Sequence, residues 1–205
     1  KAEKRFYAEA ETNPNVDIYY HSPAFGHKDT YALSVLAQVL STRTGRLHKQ
    51  LVLEQKLATD TWAWVRGLKY AGQFNIGAEL AEGKSLEETE SALYEQIDKL
   101  KTEPVPKLEL QKVKNNFAAG EYRRLSSNHP ILMQLLRSEG TGNWREINGA
   151  GPKIQAVTRA DIQRVAKKYF TKENRAVAIY TRKPGTGGGD PLLAGLNGQQ
   201  KAMVR

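Results

Sequence analysis

Apolar residues alternate with polar ones, or recur every three to four positions, along most of the 205-residue chain. The cleanest alternation covers residues 73–80, where Phe74, Ile76, Ala78 and Leu80 are separated by polar residues or glycine. A period of two predicts a half-buried antiparallel strand. Further strands are predicted at residues 5–11, 16–21, 61–66 and 175–182. A hairpin loop at residues 67–72 is predicted to join strands 61–66 and 73–80.

Helical periodicity fills the rest of the chain up to about residue 170. Residues 29–41 carry apolar side chains at i, i+3, i+4, i+7 and i+8, the spacing of a helix that faces a core. Ser85-Leu86-Glu87-Glu88 and Thr158-Arg159-Ala160-Asp161 both predict helix caps, the first as a capping box. Helices are predicted at 46–57, from 85 to the prolines 104 and 106, at 107–125, at 130–140 and from 158 to 170. Residues 144–156 predict short helical pieces broken by glycines.

This order of elements predicts an α+β fold: a mainly antiparallel mixed sheet of about five to six strands with helices packed on it. The predicted domain covers residues 1–182. Residues 183–205 are expected to form a Gly/Pro-rich linker and a polar tail. Because the chain begins with Lys1 and ends without a closing element, we expect a piece of a longer protein.

The composition places the chain among ordinary globular proteins. Hydrophobic residues make up 40% and charged residues 26%, which argues against a disordered chain. The sequence has no run of about 18 apolar residues, which is the length that would predict a membrane-spanning helix. The absence of cysteine excludes disulfides, thiolate metal sites and cysteine nucleophiles. It leaves the compartment unknown: a bacterial periplasm or cell envelope is compatible, and so is the cytoplasm.

The net charge of +9 could indicate nucleic acid, a membrane surface or an acidic substrate. Segment 107–124 has five basic and two acidic residues, and segment 85–103 has two basic and six acidic residues. In both, the charges fall on the polar side of a predicted helix, which favours solvated faces. Trp62, Trp64 and Phe74 could stack on bases, but strand aromatics are more often core residues.

No pattern in the sequence predicts a catalytic centre within these residues. The four histidines are His21, His27, His48 and His129, and no two of them are three to five positions apart. A helical zinc site needs such a pair, so surface or capping roles are favoured. A nucleophile motif of the G-x-S-x-G type and a phosphate-binding glycine loop are also missing.

Three stretches together carry a family resemblance. Residues 32–58 read ALSVLAQVLSTRTGRLHKQLVLEQKLA, residues 61–80 form the predicted strand pair, and residues 157–170 read VTRADIQRVAKKYF. In this order they resemble the second, non-metal-binding repeat of the pitrilysin/insulinase-type zinc metallopeptidases, the class that includes mitochondrial processing peptidase. The resemblance covers about residues 6–182.

The resemblance implies a C-terminal, chamber-forming domain of a larger zinc metalloendopeptidase, which hydrolyses peptides with metal-activated water. It implies no catalytic residue and no cofactor in this fragment, with zinc held by a preceding domain. The implied partners are that domain, a homologous half or subunit that closes the chamber, and a peptide substrate. A non-catalytic subunit of the same fold is the alternative, and a basic nucleic-acid-binding module is a third reading.

The family also implies two positions in the chamber. Its pattern after the Arg-Leu of the short helix is Leu-Arg, then six residues, then Tyr, and that Arg and Tyr bind substrate in the opposite half of the enzyme. Here Leu51 matches the Leu, but Val52 and Thr59 occupy the Arg and Tyr positions. Because neither side chain can offer a cation or a phenol to an oxyanion, the pair is degenerate. Val52 and Thr59 remain candidates for the chamber wall.

Overall fold

The computed structural model describes residues 2–183. Five strands form one sheet: β1 Lys4–Ala10, β2 Asn15–Ser22, β3 Ala58–Gly67, β4 Gly72–Leu80 and β5 Arg175–Arg182. Their order across the sheet is β1-β5-β2-β4-β3. The pair β1 and β5 is parallel, while β2 pairs antiparallel with both β5 and β4, and β4 with β3. The predicted mainly antiparallel mixed sheet is confirmed. The linker and tail predicted for 183–205 lie, apart from Lys183, outside the described residues.

The helices are α1 Lys28–Ser41, α2 Leu86–Thr102, α3 Lys107–Arg124, α4 Asn128–Thr141, α5 Glu146–Ala156 and α6 Arg159–Tyr169. The short helix predicted at 46–57 is present, and its residues His48–Glu54 form a π-helix. The Gln55 N–H bonds to the Gln50 carbonyl, five residues earlier. Buried leucines four apart, Leu47 and Leu51, fit either helix type over so few residues.

Two local predictions need correction. Residues 146–156 form one helix, not pieces broken by glycines. A Cβ on Gly151 would lie 2.6 Å from Glu121 Oε2, so this glycine marks where α5 approaches α3. The capping box at Ser85 is only half formed: Ser85 Oγ accepts the Glu88 N–H, but the Glu88 side chain does not accept the Ser85 N–H in return, and Ser85 Oγ donates to Glu87. At Thr158 both halves of the box with Asp161 are present.

The core lies between one face of the sheet and helices α1, α2 and α6. This inner face consists of alternate residues of the central strands, all buried: Val16, Ile18, Tyr20, Phe74, Ile76, Ala78, Leu80, Val177 and Ile179. The rings of Tyr20 and Phe74 both pack on Phe170, just after α6, with centroids 4.9 and 4.8 Å away. A continuous core of this kind allows the chain to fold as one unit.

A buried charge joins α1 to α6. Asp29, in the first turn of α1, is fully buried and accepts hydrogen bonds from Arg164, Lys168 and Tyr169 at 2.8–2.9 Å. Burial alone would raise the pKa of this carboxyl, but the bonds from the three donors outweigh burial and hold the pKa well below its usual range. His27 caps the same helix, accepting the Asp29 N–H at 3.0 Å, which agrees with its expected capping role.

Helix α4 presents its apolar side outward. None of its residues is buried, and Leu132, Met133 and Leu136 are 51–60% exposed. Gln134 and Ser138, on the other side, line a space shared with α1, α3 and α5. The usual orientation of an amphipathic helix is therefore reversed at α4.

Candidate functional site on the open face of the sheet

The sheet face opposite the core is not covered by the helices that the structure describes. Directly paired residues of neighbouring strands share a face, so the register defines this surface, here named the open face. Its central rows are Phe6–Ala178–Asp17–Gly77–Trp62 and Lys4–Ala176–Tyr19–Asn75–Trp64. Of these residues, all but Asn75 and Gly77 are half-buried or exposed. The interpretation of the two tryptophans as core residues is wrong, whereas Phe74 is fully buried on the inner face.

Asp17 is the polar centre of the open face. Its Oδ1 accepts the Trp62 indole N–H at 3.0 Å and the Asn75 side-chain amide at 2.8 Å. The indole reaches Asp17 from two strands away because Gly77 lies between them. A Cβ on Gly77 would lie 2.6–2.7 Å from three atoms of the Trp62 ring. The glycine therefore lets the ring lie over β4.

Asn75 orients this carboxylate with its NH₂ group, while its own side-chain oxygen is left without a donor. The residue is fully buried, and its Oδ1 has no hydrogen-bond partner among the described residues. Turning the amide over would place that oxygen against the Asp17 carboxylate, so the NH₂ group must face Asp17. A buried acceptor without a donor costs about 1–3 kcal/mol.

Aromatic rings extend the site along the face. Tyr19 and Trp64 meet edge to face, with centroids 6.1 Å apart and planes at 73°. Burial raises the pKa of Tyr19, and the negative charges of Asp17 and ionised Tyr180 act in the same direction. Tyr19 therefore stays a neutral phenol near Asp17. Between these rings and Phe6, strand β5 offers only the small side chains Ala176 and Ala178.

A cavity of about 320 Å³ lies at the Tyr19 end of the open face. Its walls include Lys4, Tyr19, His21, Gln73, Glu173 and Asn174. A space of this size, with polar groups of both signs, can take one amino-acid side chain.

The two positions predicted from the sequence have different neighbours. Val52 lies in the π-helix, half-buried and packed against the core. Thr59 is exposed at the irregular start of β3, where its Oγ1 donates to Glu79 Oε1 at 2.8 Å. Since Glu79 belongs to an outer row of the open face, Thr59 lies at the margin of that face. Nothing here tests a role in substrate binding, so for Val52 and Thr59 that role stays a prediction.

Sequence reasoning missed Asp17, Tyr19 and Asn75 as a group. The alternation in β4 does place Asn75 and Gly77 on its polar side. Only the register with β2 and β3, however, brings Asp17 and Trp62 to them.

The described residues do not fit a metal centre. Among residues 2–183, no group of three or more His, Asp or Glu side chains is arranged to hold a metal ion. The helices in this range are all too short or too polar to cross a bilayer.

Comparison with known proteins gives consistent matches. Residues 1–117 match the family described as the peptidase M16 inactive domain. The zinc protease PqqE of Helicobacter pylori is 23% identical over 168 residues, which are 82% of this chain and 38% of that protein. The chain thus spans less than half the length of this curated relative.

Solved structures share the fold. A protease from Helicobacter pylori superposes with a TM-score of 0.83 at 22% identity, covering 89% of this chain and 45% of that one. An inactive peptidase domain from Bordetella parapertussis gives a TM-score of 0.77 at 25% identity, covering 89% of this chain and 98% of that one. The first comparison shows that the fold recurs within a chain about twice as long, and the second that it also occurs alone.

Proposed function

Because this chain belongs to the family of peptidase M16 inactive domains, we propose that it is the C-terminal, chamber-forming domain of a larger zinc metalloendopeptidase. The observation that carries the proposal is the match to this family over more than half of the chain. The described residues hold no group fit for zinc, so no step of peptide hydrolysis is assigned to them. Zinc and the catalytic groups are placed in a preceding domain, outside this sequence.

The role of this domain in that enzyme is to hold peptide. The open face offers aromatic rings, a carboxylate and a side-chain-sized cavity, as a surface that binds an extended chain requires. A homologous half or a second subunit would close the chamber over it. The degenerate positions Val52 and Thr59 fit a domain of the zinc-bearing half, whose opposite half supplies the binding Arg and Tyr.

The same two substitutions also fit a non-catalytic subunit, which is the second candidate. Zinc content and peptide hydrolysis of the full-length protein separate the two. We expect the full-length protein to hold one zinc per chain by mass spectrometry and to cleave fluorogenic peptides. We expect activity to fall when 1,10-phenanthroline removes the metal. A full-length protein without zinc and without hydrolysis would favour the non-catalytic subunit.

The isolated 205-residue chain is the matched comparison. We expect it to hold no stoichiometric zinc and to cleave no peptide, since the described residues lack a ligand set. One tightly bound zinc per isolated chain would overturn the assignment to an inactive domain.

A further inference from the structure

We propose that Asp17 and Trp62 form a subsite for the side chain of an arginine or lysine in a peptide that lies along the open face. This inference deepens the proposed function and rests on it for the identity of the ligand as peptide. It is carried by the neutral donors around Asp17 within residues 2–183, by the position of the indole ring and by the shape of the surface around them.

Within residues 2–183, Asp17 has no cationic partner, whereas other well-shielded acids in this range do. Asp29 bonds to Arg164 and Lys168, and the other such pairs are Glu90 with Arg5, Glu109 with Arg46, and Glu146 with Lys153. Among the described residues, the side chains that donate to Asp17 are the neutral Trp62 and Asn75. In a chain of net charge +9, a half-buried carboxylate without a cation is an acceptor left for an external one.

The geometry suits the flat guanidinium group of an arginine or the slender side chain of a lysine. Both donors bond to Oδ1, and no side chain within residues 2–183 donates to Oδ2 of Asp17. One side of the Trp62 ring lies over Gly77, so the other side faces away from the sheet. A guanidinium or ammonium group can lie on that side and bond to Oδ2, combining a cation–π contact with a charge-assisted hydrogen bond.

The surroundings leave room for the rest of a peptide. Ala176 and Ala178 form a shallow floor beside Asp17, between the Tyr19 side and the exposed ring of Phe6. The cavity next to Tyr19 can take a neighbouring side chain. A nucleic acid is the less favoured ligand for this aromatic surface, because Asp17 would repel a backbone phosphate placed near Trp62.

Nuclear magnetic resonance of the 205-residue chain tests the proposal. The indole N–H signal of Trp62 is identified with the variant Trp62→Phe. The probe is an acetylated, amidated Gly-Ser-Arg-Ser-Gly peptide, and its matched control replaces arginine by the neutral isostere citrulline. We expect saturable movement of the Trp62 signal with the arginine peptide and at least about fivefold weaker binding of the citrulline peptide.

Variants with the same chemical change locate the effect. We expect Asp17→Asn to weaken binding of the arginine peptide about tenfold, because the asparagine still accepts the indole N–H but has lost its charge. Asp60→Asn removes an exposed charge from an outer row of the same face and should change binding less than about twofold. Equal effects of both variants would show that the peptide responds only to the overall charge of the face, and this result would overturn the proposal. Thermal unfolding confirms that each variant is folded.

Two further outcomes would overturn the inference. One is equal affinity for the arginine and citrulline peptides. The other is stronger movement of the Trp62 signal by a twelve-residue oligothymidylate than by the arginine peptide. The outcome is independent of the zinc test, because binding is measured on the isolated chain. A full-length enzyme that cleaves peptides while Asp17→Asn binds normally would refute the subsite and leave the proposed function standing.

Discussion

The buried carboxylate of Asp29 is expected to be one of the main supports of the helical layer, and Asp29→Asn tests this. The substitution keeps the size of the side chain and removes its charge. The wild-type carboxylate accepts from Arg164, Lys168 and Tyr169, which come from one helix, α6. An asparagine can accept with one oxygen only, and its NH₂ group would face at least one of these donors. It would also lose the favourable position of a negative charge in the first turn of α1.

The expected loss of stability depends on how well the former partners of Asp29 are solvated after the substitution. Breaking a buried ion pair by removing one partner costs about 3–5 kcal/mol. Here the side chains of Arg164 and Lys168 are 44% and 53% exposed, so both can regain water. We therefore expect a loss of about 2–3 kcal/mol in the free energy of unfolding, which is less than that range because both cations can be rehydrated. For a domain of this size the melting temperature should fall by about 4–12 °C.

Urea denaturation followed by circular dichroism measures the loss, and its pH dependence identifies the cause. Aspartate in an unfolded chain has a pKa of about 3.9, and the pKa of native Asp29 lies below that value. The stabilisation is therefore fully present above about pH 5 and is lost as the pH falls through about 4 toward the native pKa. The difference between wild type and Asp29→Asn should shrink over the same interval. The control Asp98→Asn changes a side chain that is 65% exposed and should stay within about 0.5 kcal/mol of wild type. A loss below about 1 kcal/mol for Asp29→Asn, or a difference that does not change with pH, would refute the reasoning.

Three other substitutions test the open face and the reversed helix. Gly77→Ala would place a Cβ 2.6 Å from the Trp62 ring. We therefore expect the magnetic resonance signal of the Trp62 indole N–H to shift and the free energy of unfolding to fall by about 1–3 kcal/mol. An unchanged signal would contradict the packing of the ring over Gly77. Leu36→Ala, in the core, should cost about 2–5 kcal/mol, whereas Leu132→Ala, 52% exposed on α4, should stay within about 0.5 kcal/mol. Comparable losses at the two leucines in urea denaturation would show that α4 packs differently.

The local elements could be predicted because each has a long periodic signal. Alternation over β4 and the apolar stripe of α1 follow directly from side-chain geometry, and both elements lie within one residue of the predicted bounds. The pairing of β1 with β5 could not be predicted, since it joins residues about 170 positions apart and leaves no local pattern. Which side of α4 faces the rest of the domain is also not a local property. Its leucines recur at helical spacing, but only tertiary packing decides that Gln134 and Ser138 face inward.

The candidate site was harder to predict than the fold because its parts come from three strands. Trp62 and Trp64 were visible as aromatic residues on one side of β3, but an alternating strand does not reveal which side faces the core. Only the register of β3 with β4, which pairs Trp64 with the polar Asn75, assigns that side to the open face. Asp17, in contrast, looked like an ordinary surface aspartate until the register of β2 with β4 placed it beside Trp62.

The open face of the sheet holds a glycine and a fixed carboxylate that bear on the proposed role. The inner face is mainly apolar, although it includes the buried hydroxyls of Ser22 and Thr61, which have no hydrogen-bond partner among the described residues. The open face keeps a glycine in the middle of β4, which costs about 0.5–1 kcal/mol relative to alanine. It also keeps a buried amide oxygen without a described donor at Asn75. Both features serve one arrangement, in which Trp62 and Asn75 hold Asp17 in a fixed direction. A wall that merely enclosed a chamber would need neither this glycine nor a carboxylate held in a fixed direction, so the arrangement favours a wall that binds what the chamber holds.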